Sequence, residues 1–305
     1  GGVCRTWAHM KTSLWAVLVL VSACGVVESE VAATPDELDT QGEELSTTKD
    51  TFLLARRDVR RCISPLCGGY WVKDLNSTMM ERYVSAFDFS QSLSLPVEEQ
   101  DKVTGAPDNE VVIFGRLGPK ETRFNTRTLL VKDAYRALPG NTVPSTDKFY
   151  GVGVTKIACV TTPCANLQFT RLNRTTGHVL GTEVSIENAL RTRVQGDWVM
   201  ERIRTGRAVV AGHVERSGGN VVLSASQVYV QLRDQIQSCP RFALPNCSNG
   251  KIVAWTRTAN RCTVPVGCTA PGVCAQFFPT CEAGYTLVSW MNLCPRYACE
   301  PEWAQ

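Results

Sequence analysis

Cys62-Ile-Ser-Pro65-Leu-Cys67-Gly68-Gly69-Tyr70-Trp71-Val72-Lys73-Asp74-Leu75-Asn76 is the stretch on which the reading of this chain turns. Two cysteines bracket a tight turn, and Tyr70 to Leu75 then alternates with the period of a half-buried strand. The pattern returns 97 residues later as Cys159-Val-Thr-Thr-Pro163-Cys164, followed by Leu167-Gln168-Phe169-Thr170-Arg171-Leu172-Asn173. Phe52 and Phe149 precede the two copies at the same offset, so a Phe, both cysteines, a Leu and an Asn match without a gap. Further on, Val111–Leu117 corresponds to Val209–Val214, and Leu129–Tyr135 to Val221–Tyr229, once a gap is allowed.

Each unit reads as strand, cysteine turn, strand, strand, helical stretch, strand, strand. The helical composition lies at Pro96–Val103 and Ile186–Val194. That order is the one of a small five-stranded barrel of the OB type, a fold that binds oligonucleotides or oligosaccharides. The expected fold is therefore mainly β: two tandem small barrel-like repeats over residues 51–146 and 147–237, then a disulfide-rich tail over 238–305. An oligomer-binding face would align Tyr70, Trp71 and Phe169 or their neighbours along one exposed side.

The chain has 305 residues, 44% of them hydrophobic and 20% charged, which excludes collagen-like, coiled-coil and wholly disordered classes. Fourteen cysteines beside three histidines point to an oxidising compartment. The Cys-x4-Cys turn lacks both the spacing of a zinc half-site and the two-residue spacing of a redox pair. A structural clip between two strands remains, worth about 2 kcal/mol through the unfolded state. Cys62 with Cys67 and Cys159 with Cys164 are the expected pairs. Gly68-Gly69 lets the chain leave the first turn at angles that other residues avoid.

The tail holds eight cysteines between Cys239 and Cys299, in two similar modules. Cys239, Cys247, Cys262 and Cys268 make the first; Cys274, Cys281, Cys294 and Cys299 make the second. Segments this small bury too little core to fold without staples. Four cysteines allow three pairings in each module, and the spacing chooses none of them. The run Cys281-Glu-Ala-Gly284-Tyr to Cys294-Pro-Arg-Tyr-Ala-Cys299 resembles antistasin-type serine-protease inhibitor modules, although their closely spaced terminal cysteine cluster is missing.

At the other end, Met10-Lys11 and an apolar run from Leu14 to Val21 lead into Val21-Ser22-Ala23-Cys24-Gly25, a secretory signal. Residues 1–23 are read as that signal, with Met10 as the start. The last four positions before Gly25 resemble a bacterial lipobox, which implies cleavage between Ala23 and Cys24 and a diacylglycerol on the Cys24 thiol. Gly25 is not the Asp that marks retention in the inner membrane, so the resemblance implies the outer membrane. Residues 24–50 then form an acidic tether with eight acids against Lys49, too poor in large apolar side chains to fold. From Thr51 onward 29 Lys and Arg face 21 Asp and Glu, a surplus that favours an anionic glycan or an acidic extracellular protein.

Taken together, the lipobox, the tether, the repeated Cys-x4-Cys unit and the cysteine-rich tail resemble an uncharacterised family of lipoproteins from myxobacteria and their relatives. That resemblance implies a lipid-anchored bacterial envelope protein. No catalytic signature accompanies it: Gly-x-Ser-x-Gly, His-Glu-x-x-His, Walker and dinucleotide fingerprints are absent. Ser46-Thr-Thr-Lys49 and Ser145-Thr-Asp-Lys148 match a Ser-x-x-Lys pattern without its companion motifs. His178 and His213 occur only in the second repeat, at a loop-like and a strand-like position, and Asp58, Asp74 and Asp88 read as solvated or turn-capping acids. The expectation is a non-catalytic binding or interaction protein with no cofactor, no metal and no nucleic-acid partner. Protease inhibition through the tail, or OB-type glycan or nucleic-acid binding, are the alternatives.

Overall fold

The computed structural model describes residues 49–92, 95–160, 162–232, 239–274 and 277–304. Ala23, Cys24, the signal and the tether up to Thr48 lie outside them. Asp50, the end of the tether, is tied to the fold by ion pairs with Arg116 (3.0 Å) and Lys132.

The chain is mainly β. The first repeat contributes β1 (Thr51–Arg57), β2 (Tyr70–Asp74), β3 (Arg82–Val84), β4 (Phe87–Asp88), α1 (Val97–Thr104), β5 (Val111–Lys120) and β6 (Arg127–Ala137). The second contributes β7 (Lys148–Val154), β8 (Leu167–Arg171), β9 (His178–Gly181), β10 (Glu183–Ser185), α2 (Gly196–Arg204), β11 (Ala208–Ser217) and β12 (Asn220–Gln231). The sheet order is a palindrome, β3-β2-β1-β5-β6-β12-β11-β7-β8-β9, with β4 parallel to β6 and β10 parallel to β12. Each half thus has the OB-type order. Two separate barrels are not formed, however. β6 and β12 pair edge to edge at Tyr135 to Ala137, so the halves merge into one large, mostly antiparallel sheet that does not close.

The halves share small details. In β5 and β11 a bulge falls at Gly115 and Gly212, where a Cβ would come within 2.2 and 2.1 Å of the facing carbonyl oxygens of Leu130 and Ser224. Ser85 and Thr182 each bond twice, through amide and hydroxyl, to the carbonyls of Arg127 and Val221. These matches extend the 97-residue offset from Phe52 through Gly212 without a gap, which moves the second-repeat partner of Val111 from Val209 to Ala208. The gap lies in the following hairpin turn, three residues shorter in the second repeat.

Two cores result. One gathers inward-facing residues of both halves, including Leu53, Val72, Ile113, Phe169, Trp198 and Val210. The other seals the halves through the opposite face, with Leu75, Val112, Tyr135, Phe149, Leu172, Val209 and Tyr229. Strands β1 and β5 are therefore covered on both sides, which is why Phe52-Leu-Leu-Ala and Val111-Val-Ile-Phe are unbroken apolar runs rather than alternating ones.

Asn76 and Asn173 clasp this seam reciprocally. Asn173 accepts from the Phe52 amide through Oδ1 (2.8 Å) and donates through Nδ2 to the carbonyls of Phe52 (2.7 Å) and Leu75 (3.2 Å). Asn76 accepts from the Phe149 amide (2.8 Å) and donates to the carbonyls of Phe149 (2.8 Å) and Leu172 (2.9 Å). Both lie in the left-handed region, at φ 58° and 61°, a conformation that Asn tolerates better than most residues.

The helical expectation holds for α1. In the second repeat Ile186–Val194 carries only a 3-10 turn at Glu187–Ala189, and the helix begins at Gly196. There Trp198, Val199, Arg202 and Ile203 form the stripe that is buried.

The tail forms two hairpins, β13 (Ile252–Arg257) with β14 (Thr263–Thr269) and β15 (Tyr285–Met291) with β16 (Pro295–Pro301). A lone hairpin is marginal in water, and each carries two disulfides in the same first-to-third, second-to-fourth pattern. The tail is also docked onto the body. Trp303 donates to the Ala137 carbonyl (3.1 Å), Tyr285 to the Pro139 carbonyl (3.0 Å), and the Cys299 amide to the Arg193 carbonyl (2.9 Å). The Arg261 guanidinium lies over the Trp198 ring at 4.8 Å, and Glu300 pairs with both Arg257 and Arg261.

Candidate functional site

The two halves differ most in what fills them. In the first, Tyr70 at the start of β2 stacks on Phe87 of β4, ring centroids 3.9 Å apart, with Phe89 edge-on at 6.3 Å. The Tyr70 hydroxyl donates to the Thr104 carbonyl at the end of α1 (3.2 Å), and burial pushes its pKa upward. At the same offset the second half has Leu167, Val184 and Ile186. Three aromatic rings are replaced by three aliphatic side chains, and a cleft of about 730 Å³ opens in their place.

The cleft floor is Leu167, Val184, Ile186 and Met200; Asn166, Glu187 and Arg204 stand at its rim. Its volume and apolar floor match those of small-molecule sites. Thr182 also lines it, but its hydroxyl is committed to the Val221 carbonyl (3.0 Å), and Cys164 is held in its disulfide with Cys159. The chemistry available is that of burying an apolar group beside a polar edge.

A second cluster crosses the outer face of β1, β2 and β3. Arg56, Trp71 and Tyr83 are successive cross-strand neighbours, and Arg60 covers both rings, 4.9 Å from Trp71 and 5.2 Å from Tyr83. This cluster satisfies itself. Arg56 grips Glu81 at 2.9 Å, and Arg60 grips Asp58 at 2.9 Å through two nitrogens. The hydrogen bond from Arg60 holds the Asp58 carboxyl down at about 2, well below the usual carboxylate range. Gly68, at φ 81°, brings its amide to the same carboxylate, so Asp58 ties the cysteine turn to the strand end.

The expected aromatic face is thus not assembled. Strand alternation sends Tyr70 inward and Trp71 outward, and Phe169, which takes the place of Val72, is fully buried. The Phe169 ring fits because Gly181, which stands opposite Leu167 on β9 and diagonal to Phe169, leaves room for it where the first half has Val84; a Cβ on Gly181 would lie 2.1 Å from the ring. Asp58 is buried and paired, Asp74 is buried with its pKa raised by desolvation and accepts from Thr51 (3.1 Å), and Asp88 caps the Ser90 amide (2.9 Å). His178 opens β9 rather than standing in a loop. His213 bridges Asp147 (3.3 Å) and Glu215 (2.9 Å). All twelve cysteines from Cys62 to Cys299 are disulfide-bonded, Cys62 with Cys67 and Cys159 with Cys164 among them. Among the described residues no group of three His, Cys, Asp or Glu stands close enough to hold a metal ion, and no helix is long and apolar enough to cross a membrane.

Sequence reasoning passed over Leu167, Val184 and Ile186 because each is an ordinary strand residue by itself. The signal that finds them is the 97-residue offset carried on past Asn173, which sets each beside an aromatic residue of the first half.

Fold and site define a two-repeat, disulfide-stapled β protein with a cleft in its second half. The chain belongs to the domain of unknown function family DUF6748, whose model matches residues 51–235, both repeats without the tail. It is similar to an uncharacterised protein of Dictyostelium discoideum, 29% identical over 249 residues, covering 79% of this chain and 84% of that one. No solved structure matches.

Proposed function

We propose that this chain is an exported, non-catalytic binding protein of the bacterial cell envelope, anchored through a lipid on Cys24, with the cleft of the second repeat as its ligand site. The hollowing of that repeat relative to its filled twin carries the reading. Packing at that position is attainable with Tyr70, Phe87 and Phe89, so the 730 Å³ opening is a departure from a solution the same fold already uses. Six disulfides support an oxidising compartment, and the lipobox-like Val21–Cys24 with the acidic stretch behind it supports a surface tether.

The cleft is tested with Nile red, a neutral dye that fluoresces in apolar sites. Leu167→Tyr combined with Val184→Phe copies the first-half filling and should abolish the saturable dye signal while the thermal melt is retained. An unchanged signal in that variant sinks the cleft as the site. The anchor is tested separately by intact mass of protein extracted from membranes: a diacylglyceryl mass on a chain beginning at Cys24 is expected, and an unmodified Cys24 refutes it.

A further inference from the structure

A second opening lies on the other face of the same repeat, at the seam between the halves. Phe52 and Tyr135 of the first half lean over β7 and β8 of the second and wall a groove of about 310 Å³. Its floor is Gly151 and Gly153, and Gln168 and Thr170 line its side. The symmetry-related place is occupied. There Phe149 and Tyr229 form the matching aromatic pair, ring centroids 5.9 Å apart against 6.0 Å for Phe52 and Tyr135. Beneath them Leu54 and Arg56 stand where the groove has Gly151 and Gly153, and Trp71 stands where it has Gln168.

The polar atoms depart from symmetry as well. The Tyr229 hydroxyl donates to the Asn109 carbonyl (3.1 Å). Asn109, at φ 62°, corresponds to Gly206, at φ 70°, which lines the groove. Tyr135 is 7% exposed, yet its hydroxyl forms no hydrogen bond among the described residues. The hydroxyl is not sealed from solvent, so water meets it in the groove and a ligand hydroxyl can take that water's place. Beside it, Gln168 makes only a long contact of 3.4 Å to the Thr170 hydroxyl, which leaves the carboxamide oxygen available. No charged side chain lines the groove.

We infer that this groove binds one neutral, hydroxylated ring, the pyranose unit of an uncharged glycan. Aromatic walls suit the C–H face of such a ring, while the Tyr135 hydroxyl, the Gln168 carboxamide and the Thr170 hydroxyl offer donors and acceptors to its hydroxyls. The absence of a cation in the lining selects against sugar acids. This site is independent of the apolar cleft, and neither needs the other to be occupied.

The test is saturation-transfer NMR and calorimetry on the oxidised chain with D-glucose, D-galactose, D-mannose, N-acetyl-D-glucosamine and D-glucuronate as probes. At least one neutral sugar should bind with a dissociation constant on the order of 1 mM, and glucuronate more weakly. Gly153→Leu fills the groove; a Cβ there meets nothing within 4 Å, so the fold has room for it. It should weaken binding at least tenfold, and Tyr135→Phe, which removes only the hydroxyl, about fivefold. Tyr229→Phe removes the bonded hydroxyl of the filled half and should leave binding unchanged. Silence from every neutral sugar, tighter binding of glucuronate, or affinity that survives Gly153→Leu or Tyr135→Phe in protein with a native melt overturns the inference.

Discussion

Replacing Asn173 by Ala tests the seam most directly. The substitution removes three hydrogen bonds to backbone groups of the other half, each contributing about 0.5–1.5 kcal/mol net. It also leaves an alanine at φ 61°, a left-handed conformation that costs about 1 kcal/mol more for a residue with a plain Cβ. The sum is about 2.5–5.5 kcal/mol. For a body of this size each kcal/mol moves the melting temperature by about 2–4 °C, so a drop of at least about 5 °C is expected. Asn125→Ala is the matched control, because Asn125 is also left-handed (φ 58°) but exposed and without a side-chain hydrogen bond across the seam; it should cost about 1 kcal/mol. Asn76→Ala should match Asn173→Ala closely, since the two clasps are built from the same bonds. The double variant should lose less than the sum, because the first loss already loosens what the second holds. Urea titration of the oxidised protein by tryptophan fluorescence gives all four values. If Asn173→Ala costs no more than Asn125→Ala, the clasp does not hold the halves and the reasoning fails.

Three further outcomes follow from the packing and the charges. Gly181→Val should destabilise by about 1–3 kcal/mol through collision with the Phe169 ring, and adding Phe169→Val should recover most of it by copying the Val72 and Val84 pair; a double variant no more stable than Gly181→Val by calorimetry contradicts the volume exchange. Because the Asp58 pKa is depressed in the fold, its contribution is complete above the unfolded value near 4 and is lost as pH falls toward about 2, so the melting-temperature gap between the native chain and Asp58→Asn should shrink across that window; a gap that holds constant to pH 2 contradicts the pairing with Arg60. Reduction should release β13–β14 and β15–β16 first, since disulfides closing loops of 18 to 23 residues contribute about 3 kcal/mol each. Hydrogen exchange should then show tail amides losing protection while β5, β6, β11 and β12 keep theirs, and simultaneous loss would place the disulfides in the stability of the sheet instead.

The repeat, its strand order and the cysteine turns were legible because they depend on local signals: cysteine spacing, alternation and the Asn after each second strand. What joins the halves was not. Edge pairing of β6 with β12 needs no special residue at Tyr135 to Ala137, so two barrels and one shared sheet read alike along the chain. Asn76 and Asn173 were visible as matches, but the bonds that give them their purpose run to Phe149 and Phe52, 73 and 121 positions away. The helix near Gly196 was misplaced because Ile186–Val194 has the composition of a helix, while the buried stripe that decides the matter begins at Trp198. Both openings escaped notice for a common reason. A cavity is made by side chains that are missing, and Gly151, Gly153, Leu167 and Val184 become informative only beside the larger residues of the twin.

The palindromic order has a consequence for what half of this chain would be. A contact in which Asn76 meets Phe149 while Asn173 meets Phe52, across a strand pair centred on Arg136 and Val230, obeys the rule of an isologous dimer, where one patch is its own complement. In a true homodimer every change is made twice, so a groove opened on one side opens on the other and both sides lose packing together. Joining the two copies in one polypeptide removes that obligation, and the association no longer depends on protein concentration. One copy is then free to stay filled and hold the assembly together while the other sheds side chains. The asymmetry between Tyr70 and Leu167, and between Leu54 and Gly151, is a divergence that a homodimer cannot accumulate and a covalently joined pair can.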